Sequence, residues 1–485
     1  MNNKSIKKNY LYNVIYQILT IILPLVTTPY VSRVLGSDNI GIYSYTLSIA
    51  TYFILIGSLG ISLYGQREIA YHQENKLKRS TIFWELNIIK WISLIISMIL
   101  FYMFFCLNGQ YTIYYKILLL EIFANMIDIS WYFQGLEDFK TTVIRNSIVK
   151  MISVGLIFAF VKTKNDLMIY FLIYALSDII GNLTLWIKLP KVLSKAKIQT
   201  SSLKRYFKPI FQMFIPQITI QIYTLLDRTM LGKILNDMHQ VGIYEQAQKI
   251  DKLSLTIVTS LGTVMIPRIA SLYKSDKKEE IVQRIYKSFH FVWLVALPIT
   301  FGLISISNNL VPWFLGNDFL DAIPILQIGA LLVIAIGLNN VTGMQLLVPT
   351  NRQNVFTITV IIGALSNVIG NSILIPKYKA IGAIISSVIA ESLIFIIQYI
   401  YLRKELSLKK IFKFMPRCFI SSIVMFTIIS LCSRNFNPSI KSTIILIIGG
   451  ILVYGICIMA FKDDLVIEII DKIKNKIKGE KEYEK

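Results

Sequence analysis

Runs of about 18–25 apolar residues recur along nearly the whole chain, each long enough to cross roughly 30 Å of hydrocarbon as a helix. The interruptions between them are short. The pattern predicts an all-α polytopic membrane protein of about fourteen transmembrane helices. They fall near residues 10–32, 42–63, 82–106, 113–133, 143–162, 167–187, 209–227, 243–266, 288–307, 322–347, 355–375, 381–402, 415–433 and 443–461. The first run follows Lys4, Lys7 and Lys8, as a signal peptide would, but Pro24, Pro29 and Arg33 stand where a small-residue cleavage site belongs. It reads as a retained first span.

Charge fixes orientation. Of the 50 Lys and Arg residues, 36 lie in one alternating set of loops and 9 in the other. Basic residues favour the cytoplasmic side, so the bias puts both termini there and supports an even number of spans in a multi-pass cell membrane protein. Composition agrees: 54% of residues are hydrophobic and 16% charged, with a mean hydropathy of +0.59. Soluble domains carry about 25% charged residues. The net charge of +22 sits in inter-span loops, which leaves no soluble domain to read a groove and argues against nucleic acid. Cys106, Cys418, Cys432 and Cys457 lie in apolar segments without a Cys-x-x-Cys pair and read as packing residues. His72, His239 and His290 are scattered, so neither a metal site nor a cofactor is expected.

The chain also repeats itself. Arg33 to Gly36 is echoed by Arg228 to Gly232, Gly41-Ile-Tyr43 by Gly242-Ile-Tyr244, Ser58-Leu-Gly60 by Ser260-Leu-Gly262, and Arg67 by Arg268. Repeats in a multispan protein mark transporters whose halves rock about a central site. Each half holds six spans, an even number, so the repeat is parallel. The expected organisation is an N-lobe over 1–187, a basic cytoplasmic linker over 188–208 and a C-lobe over 209–402. Two further spans over 403–461 follow, then a basic tail over 462–485. In that tail Val466, Ile469, Ile470, Ile473 and Ile477 form an apolar helical face among lysines, as in a helix lying on an anionic leaflet.

Ionisable groups inside spans are costly and face a cavity or a partner. Glu121, Asn125, Asp128 and Tyr132 follow i, i+4, i+7, i+11 spacing, one polar stripe along span four. Gln217, Gln221, Thr224 and Arg228 do the same on span seven, with Asp227 adjacent. Span one carries Asn13, Gln17 and Thr20 on one face. Lys150 lies in span five, Asp178 in span six and Glu391 deep in span twelve, while Glu245 and Lys249 on span eight stand at pairing distance. These groups either line a water-filled cavity or serve as polar contacts between helices and snorkelling span ends. Lys249, Asp251 and Lys252 read as structural.

Several motifs resemble those of the Wzx-type oligosaccharide flippases of the multidrug/oligosaccharidyl-lipid/polysaccharide exporter superfamily. They are Thr28-Pro29-Tyr30-Val31-Ser32-Arg33-Val34-Leu35-Gly36 with Gly41-Ile-Tyr43, and Trp131-Tyr-Phe-Gln-Gly135-Leu-Glu137 with Phe139-Lys140. Arg145-Asn146 and Leu226-Asp227-Arg228 with Leu231-Gly232 complete the set. The resemblance covers nearly the whole chain. It implies a two-lobed transporter, not an enzyme, that moves undecaprenyl-pyrophosphate-linked oligosaccharide repeat units to the outer leaflet of a bacterial cell membrane for capsule or other surface polysaccharide. Alternating access around a cationic cavity would carry them, among membrane lipids and beside a polysaccharide polymerase and glycosyltransferases. A pyrophosphate and a glycan cannot cross hydrocarbon unaided, because desolvating them costs too much. Arginine suits forked contacts to phosphate oxygens. The expected substrate contacts are Arg33, Arg145, Lys150, Asp227 and Arg228, and Glu121, Asp128, Asp178 and Glu391 are candidate cavity or coupling acids. The rival readings are an ion-coupled multidrug exporter of the same fold and a membrane polysaccharide polymerase. The polymerase would need a large extramembrane loop, and the outer loops here, such as that near 308–321, are too short for a domain.

Overall fold

The computed structural model describes residues 3–194, 203–468 and 471, with side chains from Leu19 onward and with gaps within 215–223. Asn13, Gln17, Gln217, the middle of the basic linker and all of the amphipathic tail beyond Glu468 except Asp471 lie outside that description. Among the described residues the chain is predominantly helical, with no strand, and each of the fourteen expected segments falls mainly on helix. Among the described residues, ten helical stretches are long and apolar enough to cross a membrane. Their outward faces carry exposed isoleucine and leucine, as on Ile95, Ile96 and Ile99 or Ile447, Ile448 and Ile451, which suits a lipid surround.

The chain divides into two compact units, Met1–Gly242 and Ile243–Lys485. Unit 1 holds α1 (Asn3–Ser58), α2 (Ile61–Tyr71), α3 (Lys76–Phe101), α4 (Thr112–Ile127), α5 (Ser130–Gly135), α6 (Phe139–Phe160), α7 (Leu167–Val192) and α8 (Lys204–Leu235). The first two expected spans are two helices joined within α1 across a non-helical residue, Gly36, whose φ of 77° only glycine adopts without strain. The expected loop at 33–41 is therefore a kink. α2 starts after a second break, at Leu59 and Gly60, where both φ values are positive. The short α5 carries Trp131-Tyr-Phe-Gln-Gly135, and its Trp131, Tyr132 and Phe133 are fully buried in the core with Phe83, Ile61 and Tyr64. It lies against α2 so closely that a side chain on Gly65 would strike the Trp131 ring, and one on Gly135 the Gln66 carbonyl.

Helix α9 (Met238–Lys274) runs from the end of unit 1 into unit 2. Unit 2 continues with α10 (Lys278–Phe314), α11 (Ala322–Gly329), α12 (Leu331–Asn340) and a π-helical turn at Val341–Leu347. Next come α13 (Gln353–Leu402), α14 (Leu408–Ile411), α15 (Met415–Ser433) and α16 (Ile440–Ala460). α13 joins two expected spans across a kink at Lys379, where the loop at 376–380 was predicted. α10 lies along α15 and α16, and Phe289, Val292 and Trp293 fill the core between α10 and the segment that ends at Ile411. Trp293 donates to the Ile411 carbonyl at 2.9 Å, and buried His290 meets Asp463 at 2.8 Å under the Phe414 ring.

Candidate functional site

The polar stripe expected along span four is interrupted where it matters most. α4 ends at Ile127, Asp128 has an extended backbone (φ −70°, ψ 118°), and α5 starts at Ser130. A helix end inside a membrane protein frees carbonyls that hydrocarbon cannot satisfy. Here side chains satisfy them. Asn182 donates to the Ala124 carbonyl at 2.8 Å, Trp91 to Met126 at 3.0 Å, Trp186 to Ile127 at 2.7 Å and Lys90 to Asp128 at 2.7 Å. The Asn125 carbonyl accepts from the backbone N–H of Asp128 at 3.3 Å. Lys90, 2% exposed, is a buried side chain whose Nζ donates to this break. These capping groups come from α3 and α7 on either side, and the stacked rings of Trp91 and Trp186 hold them in register.

The break aims the Asp128 carboxylate. It accepts from the Ser130 N–H at 2.9 Å and the Ser130 hydroxyl at 3.0 Å, and its Oδ1 lies 3.9 Å from Arg145 Nη2 on α6. That distance is an ion pair longer than a hydrogen bond. Asp178 on α7 feels the charges of Arg145, Asp128 and Lys150, and Glu121 on α4 feels Asp178. Gly181, three residues after Asp178, draws α7 against α6: a Cβ there would press on Val149 and lie 3.5 Å from Arg145 Cδ. Unit 1 thus gathers five of the sequence-predicted residues, Glu121, Asp128, Arg145, Lys150 and Asp178, into one mixed-charge group. Glu121 is buried, Asp128, Arg145 and Lys150 are half-buried, and Asp178 is exposed. Tyr174 stands within reach of both Glu121 and Asp178.

Asp227 and Arg228 lie elsewhere in unit 1. Asp227 is buried and Arg228 half-buried on α8, beside Tyr52 of α1, whose hydroxyl meets that of Thr229 at 3.0 Å. Arg33 is exposed on α1, just before the Gly36 kink. Glu391 belongs to unit 2, buried on α13 and accepting a hydrogen bond from Asn339 of α12. Glu245 and Lys249 pair at 3.7 Å along α9.

Sequence reasoning passed over the groups that build the break. Lys90 is a lysine inside an apolar run, and Trp91, Trp186 and Asn182 give no periodic signal. It also passed over Glu85, 1% exposed on α3, which accepts from Tyr206 at 2.6 Å and from Arg205 at 2.8 Å at the start of α8. Desolvation and that carboxylate hold the Tyr206 phenol above its ordinary pKa.

With this geometry in view, the comparisons bear on identity. A family model described as "Polysaccharide biosynthesis protein" matches residues 6–273, more than half of the chain. A protein of Escherichia coli strain K12 described as "Putative O-antigen transporter" is 25% identical over 409 residues, which are 83% of this chain and 98% of that protein. Among solved structures, the lipid II flippase MurJ in an inward closed conformation superposes with a TM-score of 0.76 at 17% identity, over 93% of this chain and all of that one. An inward-facing multidrug resistance MATE transporter superposes with a TM-score of 0.65 at 13% identity, over 80% of this chain and 94% of that one. At these identities the two structures establish a shared fold.

Proposed function

The chain belongs to the polysaccharide biosynthesis protein family, and on that premise we propose that it is a flippase for an oligosaccharide repeat unit carried on undecaprenyl pyrophosphate. It takes the repeat unit from the cytoplasmic to the outer leaflet for a surface polysaccharide. No bond is made or broken; the work is to lend a charged, hydroxyl-rich headgroup a polar path that hydrocarbon denies it. The Escherichia coli relative, named as a transporter of O-antigen, supports the substrate class.

The observation that carries the reading is the charge group of unit 1. Arg145 and Lys150 are cations held within the membrane helices α6 beside α4 and α7, and the Arg145–Asp128 pair is loose at 3.9 Å. A pyrophosphate offers the forked, doubly charged acceptor that a guanidinium prefers to a distant carboxylate. On arrival it displaces Asp128, which keeps its two bonds from Ser130 and so has a place to retreat to. Arg33, Asp227 and Arg228 are the further contacts in this reading, met as the two repeat halves alternate between inward and outward access with both termini cytoplasmic.

The acids of the same group support a second reading. Glu121, Asp128 and Asp178 together would suit an organic cation, the cargo of an ion-coupled multidrug exporter. Reconstitution in vesicles separates the two. Labelled undecaprenyl-pyrophosphate glycan is expected to change leaflet in a protein-dependent way. Arg145→Gln and Arg228→Ala are expected to cut that transfer at least tenfold at equal protein per vesicle. Accumulation of organic cations without glycan transfer overturns the proposal.

A further inference from the structure

Asp251 on α9 is the one carboxylate among the described residues with both oxygens shut off from solvent and without a hydrogen-bond partner. It is 4% exposed. Oδ2 is pressed against the backbone of Gly329, the last residue of α11, so closely that a Cβ on Gly329 would overlap it, and Ile384 of α13 closes the other side of that glycine. The sequence of α11, Ala322 to Gly329, contains no titratable residue. At the contact α13 contributes Ile384, an apolar group. The charge whose field reaches Asp251 is Lys252, its neighbour on α9, which is exposed.

An ionised carboxylate sealed without a donor is so unfavourable that the group takes up a proton instead. Packing does not require an acid here. At the offset that matches Gly41 to Gly242, the partner of Asp251 in the first half is Ala50; at the offset that matches Ser58 to Ser260, it is Ile49. Both are buried and apolar. The equivalent helix face therefore packs with a methyl or a butyl group, and the carboxyl of the second half is an addition to a position that folds without it.

We propose that Asp251 is a proton-binding site. In this state one carboxyl oxygen carries the proton against Gly329. The proton leaves to water only when α9 and α11 part at that glycine, and the seam closes again when the carboxylate regains it. The site ties the proton occupancy of unit 2 to its conformation, whatever cargo the protein carries.

The test uses the purified full chain in lipid nanodiscs. At pH 7 its infrared spectrum is expected to show the carbonyl stretch of a protonated acid that Asp251→Asn, a neutral isostere, lacks. Asp251→Ala, which restores the first-half residue, is expected to lack it too and to accumulate at least as well as the wild type, so the comparison survives if one variant folds poorly. Spectra of wild type and both variants that coincide in that region at pH 7 overturn the proposal. So does sodium chloride raising the Tm of the wild type, relative to choline chloride, with no such rise in Asp251→Asn, because the carboxylate then holds a metal cation.

Discussion

The helix break at Asp128 makes a quantitative demand on Trp186. Its indole N–H donates at 2.7 Å to the Ile127 carbonyl, which has no helical partner because α4 ends there. Hydrogen bonds between membrane helices contribute about 0.6 kcal/mol on average and up to about 1.7. A carbonyl left without any donor at a half-buried site costs about 1–3 kcal/mol. Trp186→Phe is therefore expected to destabilise unit 1 by about 1–2 kcal/mol through the lost bond, on top of the smaller ring. Trp84→Phe measures the ring term. Trp84 belongs to the same cluster, its centroid 6.3 Å from those of Trp91 and Trp186, and its indole makes no hydrogen bond among the described residues. The two variants and the wild type are compared by thermal unfolding in one detergent, with monodisperse protein remaining as the readout. A domain of this size moves about 2–4 °C in Tm per kcal/mol, so Trp186→Phe is expected to melt a few degrees below Trp84→Phe. Trp91→Phe is expected to behave like Trp186→Phe, with a double variant short of the sum because both serve one break. Equal melting of Trp84→Phe and Trp186→Phe would refute the reasoning, since the capping bonds would then contribute nothing beyond ring packing.

Two further outcomes follow from contacts in unit 1. Glu85→Gln removes the charged acceptor of the Tyr206 and Arg205 bonds, and because Arg205 is left exposed rather than buried, the cost is expected to stay near 1–2 kcal/mol. Tyr206→Phe in the same melting assay is expected to lose less, as Arg205 still holds the carboxylate. Gly242→Ala places a methyl group into the Ser37 carbonyl, and Gly41→Ala one into the Met238 carbonyl. Backbone cannot give way as a side chain does, so each is expected to cost more than the usual 1–3 kcal/mol of an overpacked site, read as a severe loss of folded protein in the membrane fraction.

How far the sequence could be read depended on whether a feature was carried by periodicity or by a single backbone turn. Length and hydropathy located the fourteen expected spans, because a membrane-crossing helix must satisfy its backbone within itself and needs about 20 apolar residues to do so, whereas most of α2 and all of α14 fall in expected loops. The same rule hid the exceptions. At Gly36 and Lys379 a single non-helical residue turns the chain from one helix directly into the next, so loops predicted from polar residues are one-residue kinks. At Asp128 it leaves helix where apolar residues continue on both sides, and a stripe drawn with 3.6 residues per turn cannot see that. The break survives in apolar surroundings only because Lys90, Trp91, Trp186 and Asn182 arrive from α3 and α7, more than 30 residues away in sequence. Nothing local to span four announces them. The charge group itself was partly legible, since each member is an ionisable residue in an apolar run, yet its membership was decided by Gly181 and the break.

The motifs that carry the family resemblance have a physical reading of their own. Trp131 to Gly135 is a packing element: its aromatic residues and its glycine seat α5 on α2, and none of them belongs to the charge group. The repeated Gly-Ile-Tyr is likewise structural, and reciprocal. Gly41 lies against the carbonyl of Met238, four residues before Gly242, and Gly242 against the carbonyl of Ser37, four residues before Gly41. Each glycine also approaches the other's nitrogen, a Cβ on either lying 3.1 Å from it. The two copies meet through equivalent atoms in both directions, so this crossing requires glycine in both copies at once. A change in one copy cannot be absorbed by the other. Gly41→Ala and Gly242→Ala are therefore expected to be equally damaging, and their combination no worse than either alone once the crossing is lost. An additive double variant would show that the two clashes are relieved independently, and would leave the repeated tripeptide a coincidence of sequence rather than a shared contact.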